Sequence, residues 1–204
     1  MRVAVLLLVL GAIAAALGHQ LLGSASSSTS RAASPIDVRR GEHRDLRRGH
    51  HGGLGEADGA VPDGTTVFDD EVPGVAKLDP GLLRALRRAA TDAADDGVEL
   101  IVNSGWRSPA YEDQLRREAI AKYGSEAEAA RWVATGTTSA HVSGDAVDVG
   151  PADATRWLSA QGAAYGLCQI YGNEPWHYEL RPEAGAHGCP PMYSDPTQDP
   201  RMQR

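Results

Sequence analysis

The sequence predicts an α+β domain, a small antiparallel sheet with helices packed on one side. Two observations carry that reading. Helical periodicity dominates the first half of the candidate domain, and short β-type runs cluster in the second half. No internal repeat interrupts this order.

Segments precede the domain. Arg2, the apolar run Val3 to Leu17 and the small residues Gly23-Ser24-Ala25-Ser26 have the layout of a secretory signal peptide. Val3 to Leu22 is also just long enough to remain as a membrane anchor, so residues 1–25 are read as a signal peptide or an anchor. Either way the chain is expected to be exported, and membrane anchoring stays open. Residues 26–64 read as a disordered linker, because the Ser-rich start and the later Gly, Arg and acidic residues offer little to bury. His43, His50 and His51 fall in this stretch and are read as solvated.

The domain proper is expected over 65–204. Asp79 caps and Pro80 opens a first helix, with Leu82, Leu83, Leu86, Ala89, Ala90 and Ala93 on one face and Gly97 at its end. Val98 to Val102 is a short strand leading to Ser104-Gly105-Trp106-Arg107-Ser108. Ser108-Pro109 starts a second helix that runs to Lys122 or Tyr123, and Ser125-Glu126-Ala127-Glu128 has the form of a capping box. Ala146 to Val149 reads as a strand, Asp153 to Ala164 as a helix, and Leu167 to Tyr171 and Trp176 to Leu180 as the last strands. The tail after Pro190, with Pro191, Pro196 and Pro200, is expected to wrap the surface without regular structure.

Composition narrows the function. Of 204 residues, 42% are hydrophobic and 23% charged, enough for a packed core. The formal net charge is -7, and from Thr65 onward 13 Lys+Arg stand against 21 Asp+Glu. That balance speaks against a nucleic-acid partner, which needs a basic face. No obligate protein partner is evident. In an exported chain the lone pair Cys168 and Cys189 reads as one disulfide, closing a loop worth on the order of 3 kcal/mol. A pair of thiolate metal ligands is the less favoured alternative.

Two stretches carry chemistry. Ser139-Ala140-His141-Val142-Ser143-Gly144-Asp145-Ala146-Val147-Asp148 places a His and an Asp around a glycine, and Glu174-Pro175-Trp176-His177 places a carboxylate three residues before a His. Together they supply two imidazoles, a ligand carboxylate and a free carboxylate. A hydrolytic zinc needs three protein ligands and an open position, with the free Glu as general base. Thiolate-free ligands suit zinc, although cobalt or manganese could take the place in vitro. Asp145 is expected in a solvated or supporting role, Trp106 and Trp157 in the core, and His187 in a loop. Trp176 is read as either a pocket wall or core, and Gln114 as a residue whose helix position could face the site.

The pattern Ser139-x-His141-x-x-Gly144-x-Ala146-x-Asp148, then Glu174-x-x-His177, resembles the VanY-type D-alanyl-D-alanine carboxypeptidases, relatives of the VanX-type D,D-dipeptidases. The resemblance spans about Leu78 to Leu180 and includes Ser104-Gly105-Trp106-Arg107-Ser108. It implies the zinc peptidase fold shared with hedgehog-type domains, and one Zn2+ per chain held by His141, Asp148 and His177. Glu174 would be the base, Arg107 would contact substrate and the developing oxyanion, and Ser139 would be a substrate contact; Trp176 and Gln114 are added as candidate substrate contacts from their positions alone. The implied reaction releases the terminal D-alanine from peptidoglycan stem peptides ending in D-Ala-D-Ala. A dipeptidase or endopeptidase would use the same metal site. A non-catalytic wall-binding module would have no need of Glu174.

Overall fold

A computed structural model describes residues 53–203. The signal or anchor segment, and the linker up to residue 52, lie outside the described residues. Among those described, no helix is long and apolar enough to cross a membrane.

The helices are α1 Pro73–Ala76, α2 Pro80–Asp95, α3 Pro109–Tyr123, α4 Glu126–Ala130, α5 Ala140–Ser143, α6 Ala152–Gln161 and α7 Ala184–His187. The strands are β1 Ile101–Ser104, β2 Ala146–Gly150, β3 Leu167–Gln169 and β4 His177–Leu180. They form one antiparallel sheet in the order β1-β2-β4-β3. The expected α+β class is what the chain adopts.

Local chemistry sets the long helices. The Asp79 carboxylate accepts from the amides of Gly81 and Leu82, and Pro80 occupies the first turn, where a missing N–H costs nothing. Leu82, Ala85, Leu86, Ala89, Ala90 and Ala93 of α2 are buried. Each fully buried leucine contributes about 1.5–3 kcal/mol. On α3, the Ser108 hydroxyl accepts from the Tyr111 amide, and Gly124 ends the helix with φ of 81°.

The sheet has two unlike faces because strand residues alternate. Val147 and Val149 of β2, Tyr178 of β4 and Leu167 of β3 join α2 and α6 in the main core. Asp148, His177 and Glu179 point to the opposite face and are buried there. A second apolar cluster holds α3 to α4 through Tyr111, Leu115, Ala119, Ala129 and Val133.

Four features differ from the sequence reading. The fold begins before residue 65: Leu54 and Ala60 pack on the second cluster, and the Ser108 amide donates to the Asp58 carbonyl. The expected linker therefore ends earlier than 64, because a few apolar residues found a surface to cover. His187, expected in a loop, ends the one-turn helix α7, and His141 sits on a second one-turn helix, α5. The helix expected from Asp153 to Ala164 is α6 followed by a 3-10 turn over Gly162–Tyr165. The tail carries 3-10 turns at Pro196–Gln198 and Pro200–Gln203 and pairs Tyr193 with Tyr171. The Cys168–Cys189 disulfide forms as expected.

Candidate metal centre

One row of residues crosses three strands. Ser104 of β1 lies opposite Asp148 of β2, and Asp148 lies opposite His177 of β4. Directly opposed residues share a face, so the row sets an acid beside an imidazole. The third ligand arrives from α5. Ser139 caps that turn by accepting from the His141 amide at 3.3 Å, and Gly144 ends it at φ of 82°. A Cβ at Gly144 would lie 2.5 Å from the Lys77 carbonyl oxygen, so only glycine lets α5 close against the start of α2.

His141, Asp148 and His177 offer ligand atoms that all lie within 4.8 Å of one another, and all three side chains are buried. The proton positions follow from their outer partners. His141 Nδ1 lies 2.8 Å from the Gly105 carbonyl oxygen, which can only accept, so Nδ1 carries the hydrogen. Nε2 is then a lone-pair atom, and it faces Asp148 Oδ1 at 3.4 Å. Burial and the Arg107 charge lower the His141 pKa, which keeps this imidazole neutral. His177 Nε2 faces Glu179 Oε1 at 3.4 Å, and its Nδ1 faces Asp148 Oδ1 at 3.3 Å. Burial opposes charge on His177, but hydrogen bonds to Asp148 and Glu179 outweigh it and push the imidazole up to about 10.

This donor set fits a divalent cation. Lone pairs on two rings and one carboxylate converge, which is repulsive unless a cation or a proton lies among them. Each ring is braced on its far nitrogen by an oxygen, the usual support for a metal-binding histidine. Glu174 Oε1 is buried with no hydrogen-bond partner among the described residues, and its Oε2 lies 3.7 Å from His177 Nδ1. Burial pushes the Glu174 carboxyl up to about 8 despite the nearby His177. Thiolate-free, histidine-rich sites of this kind suit zinc.

Arg107 is buried beside the cluster. Its Nε donates to Ser104 Oγ at 2.8 Å, Nη1 to Glu112 Oε2 at 2.8 Å and Nη2 to Asp148 Oδ2 at 3.1 Å. Burial works against its charge, and the Glu112 and Asp148 carboxylates more than restore it. Ser139, Glu174 and Arg107 line one cavity with the three ligands.

Two expected contacts do not line that cavity. Gln114 is half-buried and donates to Glu118 one turn along α3. Trp176 is half-buried and is absent from the cavity wall. Asp145 is exposed and accepts from Ser143, in keeping with a supporting role. Trp157 packs at the core edge, whereas Trp106 is half-buried under the Lys77 ammonium at 3.7 Å.

Glu112 and Glu179 are site residues that the sequence reading misses. Glu112 falls with Leu115 and Ala119 at spacings of three and seven, so it interrupts an apolar stripe five residues after Arg107. Glu179 lies two residues after His177 on a strand, hence on the same face.

A model of the family described as VanY, D-alanyl-D-alanine carboxypeptidase, matches residues 75–183. The chain belongs to this VanY family. The three ligand residues, Glu174 and Arg107 all fall inside the match. A D-alanyl-D-alanine carboxypeptidase of Enterococcus faecalis is 32% identical over 111 residues, covering 42% of this chain and 41% of the relative. The chain thus spans about two fifths of that relative's length. Among solved structures, a vancomycin resistance D,D-pentapeptidase VanY mutant in complex with Zn(II) is 29% identical, with a TM-score of 0.48 over 50% of this chain and 72% of that one. The LdcB LD-carboxypeptidase is 21% identical, with a TM-score of 0.50 over 66% of this chain and 73% of that one. At that identity, LdcB shares the fold with this VanY-family chain.

Proposed function

We propose that the protein is a zinc-dependent D,D-carboxypeptidase that releases the terminal D-alanine from peptidoglycan stem peptides ending in D-Ala-D-Ala. The observation that carries this reading is a buried carboxylate, Glu174, set beside a three-residue ligand cluster within a VanY-family chain.

His141 Nε2, Asp148 Oδ1 and His177 Nδ1 would hold the cation. When bound, zinc supplies Lewis acidity toward the scissile carbonyl and lowers the pKa of a coordinated water. Glu174 takes the proton from the attacking water and passes it to the departing D-alanine nitrogen. Its burial suits this exchange, because an elevated pKa brings acceptance and return of the proton closer in energy. Arg107 stabilises negative charge that develops on the carbonyl oxygen. Its planar fork is already fixed by Ser104, Glu112 and Asp148, so little reorganisation accompanies the reaction. Ser139 contributes a polar wall. Export by residues 1–25 would bring the enzyme to wall peptides rather than cytoplasmic dipeptides.

The test is D-alanine release from an acyl-D-Ala-D-Ala tripeptide compared with free D-Ala-D-Ala, with and without chelator. Chelator-sensitive release from the tripeptide supports the proposal. A preference for the free dipeptide makes the protein a dipeptidase, and chelator-insensitive release removes the metal mechanism.

A further inference from the structure

The cavity wall does not end with the residues matched by the family. Pro196 and Met202, both beyond residue 183, line the same cavity as the ligand cluster. The segment that carries them is tied down at several points. The Gly172 amide donates to the Tyr193 carbonyl at 2.8 Å, and the Asn173 amide donates to the Ser194 carbonyl at 3.2 Å. Arg131 Nε donates to Asp195 at 3.1 Å, and the Tyr171 hydroxyl donates to Asp199 at 3.0 Å.

Within this strap, Arg201 reaches under the sheet face. Its Nη1 donates to Glu179 Oε2 at 2.7 Å and its Nη2 to Glu179 Oε1 at 3.0 Å. Glu179 Oε1 is the atom facing His177 Nε2. A second arginine, Arg181, donates to Oε2 at 2.8 Å. Asp199 holds Arg201 in turn, accepting from Nε at 3.0 Å. The connected path therefore runs from Asp199 through Arg201 and Glu179 to the ring of a proposed metal ligand.

We infer that Arg201 is a positioning residue for the metal centre, fixing through Glu179 the ring orientation and tautomer of His177. Glu179 is 1% exposed, and its buried oxygens are held by donors from Arg201 and Arg181. A two-point contact also fixes its plane, which a single point charge does not. An oriented Glu179 oxygen keeps the hydrogen on His177 Nε2 and leaves Nδ1 to bind. The strap is thus part of the site, although it lies outside the matched family region. This inference rests on the metal centre proposed above.

The deciding experiment measures zinc affinity of the full chain by competition with a chromophoric chelator. It compares wild type with Arg201→Met and Arg201→Lys, and records the visible spectra of the cobalt-substituted proteins. Loss of a group that braces a metal ligand weakens binding about 10- to 100-fold. Arg201→Met is expected in that range with an altered cobalt spectrum. Arg201→Lys should fall between it and wild type. Zinc affinity of folded Arg201→Met within about twofold of wild type overturns the inference. If Arg201→Met does not fold, Arg201→Lys decides, and wild-type affinity there overturns it equally. Failure of the wild type itself to bind zinc sinks the metal centre instead, so the two outcomes are distinct.

Discussion

Asp148 and Arg107 are joined through Asp148 Oδ2 at 3.1 Å, while Asp148 Oδ1 faces the two imidazoles. One carboxylate thus couples the ligand cluster to the fixed positive group of the cavity. A change in Arg107 should be felt in both catalysis and stability.

Arg107→Met would leave Glu112 and Asp148 as buried acids without their shared partner. Breaking a buried pair of this kind costs about 3–5 kcal/mol, and loss of a charge-stabilising donor costs about 10²–10³ in kcat. Thermal denaturation and steady-state kinetics on the same preparation check both effects. Arg107→Lys should recover stability better than kcat, since lysine restores charge without the planar fork.

Metal removal should lower stability, because the cation binds a cluster that the unfolded chain does not assemble. At a free zinc concentration about 100 times Kd the gain is about 2.7 kcal/mol. Melting curves at several zinc concentrations should rise by this relation, and chelator should return them to the metal-free value. A melting temperature indifferent to zinc would remove the cluster from consideration as a binding site.

The strap should confer acid sensitivity. Burial opposes ionisation of Asp199, but hydrogen bonds from Arg201 more than offset it and hold its pKa below the ordinary 3.8. A depressed carboxylate contributes stability above its unfolded pKa and loses it as pH falls through the folded value. Wild type should therefore lose stability below about pH 4. Asp199→Asn should be less stable at pH 7 and should lose less between pH 7 and pH 3, as read by urea midpoints. Parallel pH profiles would contradict this assignment.

The sequence revealed what is encoded locally. Asp79-Pro80 and Ser108-Pro109 announce helix starts through a side-chain acceptor followed by a residue that needs no N–H partner. Strand alternation around Asp148 and the three-residue spacing of Glu174 and His177 also survive folding, because each depends on a few neighbouring dihedrals. The partners of Arg107 were less legible. Gln114 has a helix position after Arg107 that could face the site, but it pairs with Glu118, and Glu112 is the α3 residue that helix phase turns toward Arg107. The strap was hidden for another reason. Its order comes from contacts such as Arg201 with Glu179, separated by 22 residues, and no local pattern encodes them. Proline-rich composition suggested irregular chain, and the short 3-10 turns are compatible with that composition.

Glu174 separates metal binding from catalysis, since it lines the cavity beside the ligand cluster without belonging to it. The most direct measurement is zinc content together with D-alanine release for Glu174→Gln, set against wild type. The account predicts one zinc per chain in both proteins, and release slowed by about 10²–10⁴-fold in the variant. Release from the variant at the wild-type rate would contradict it.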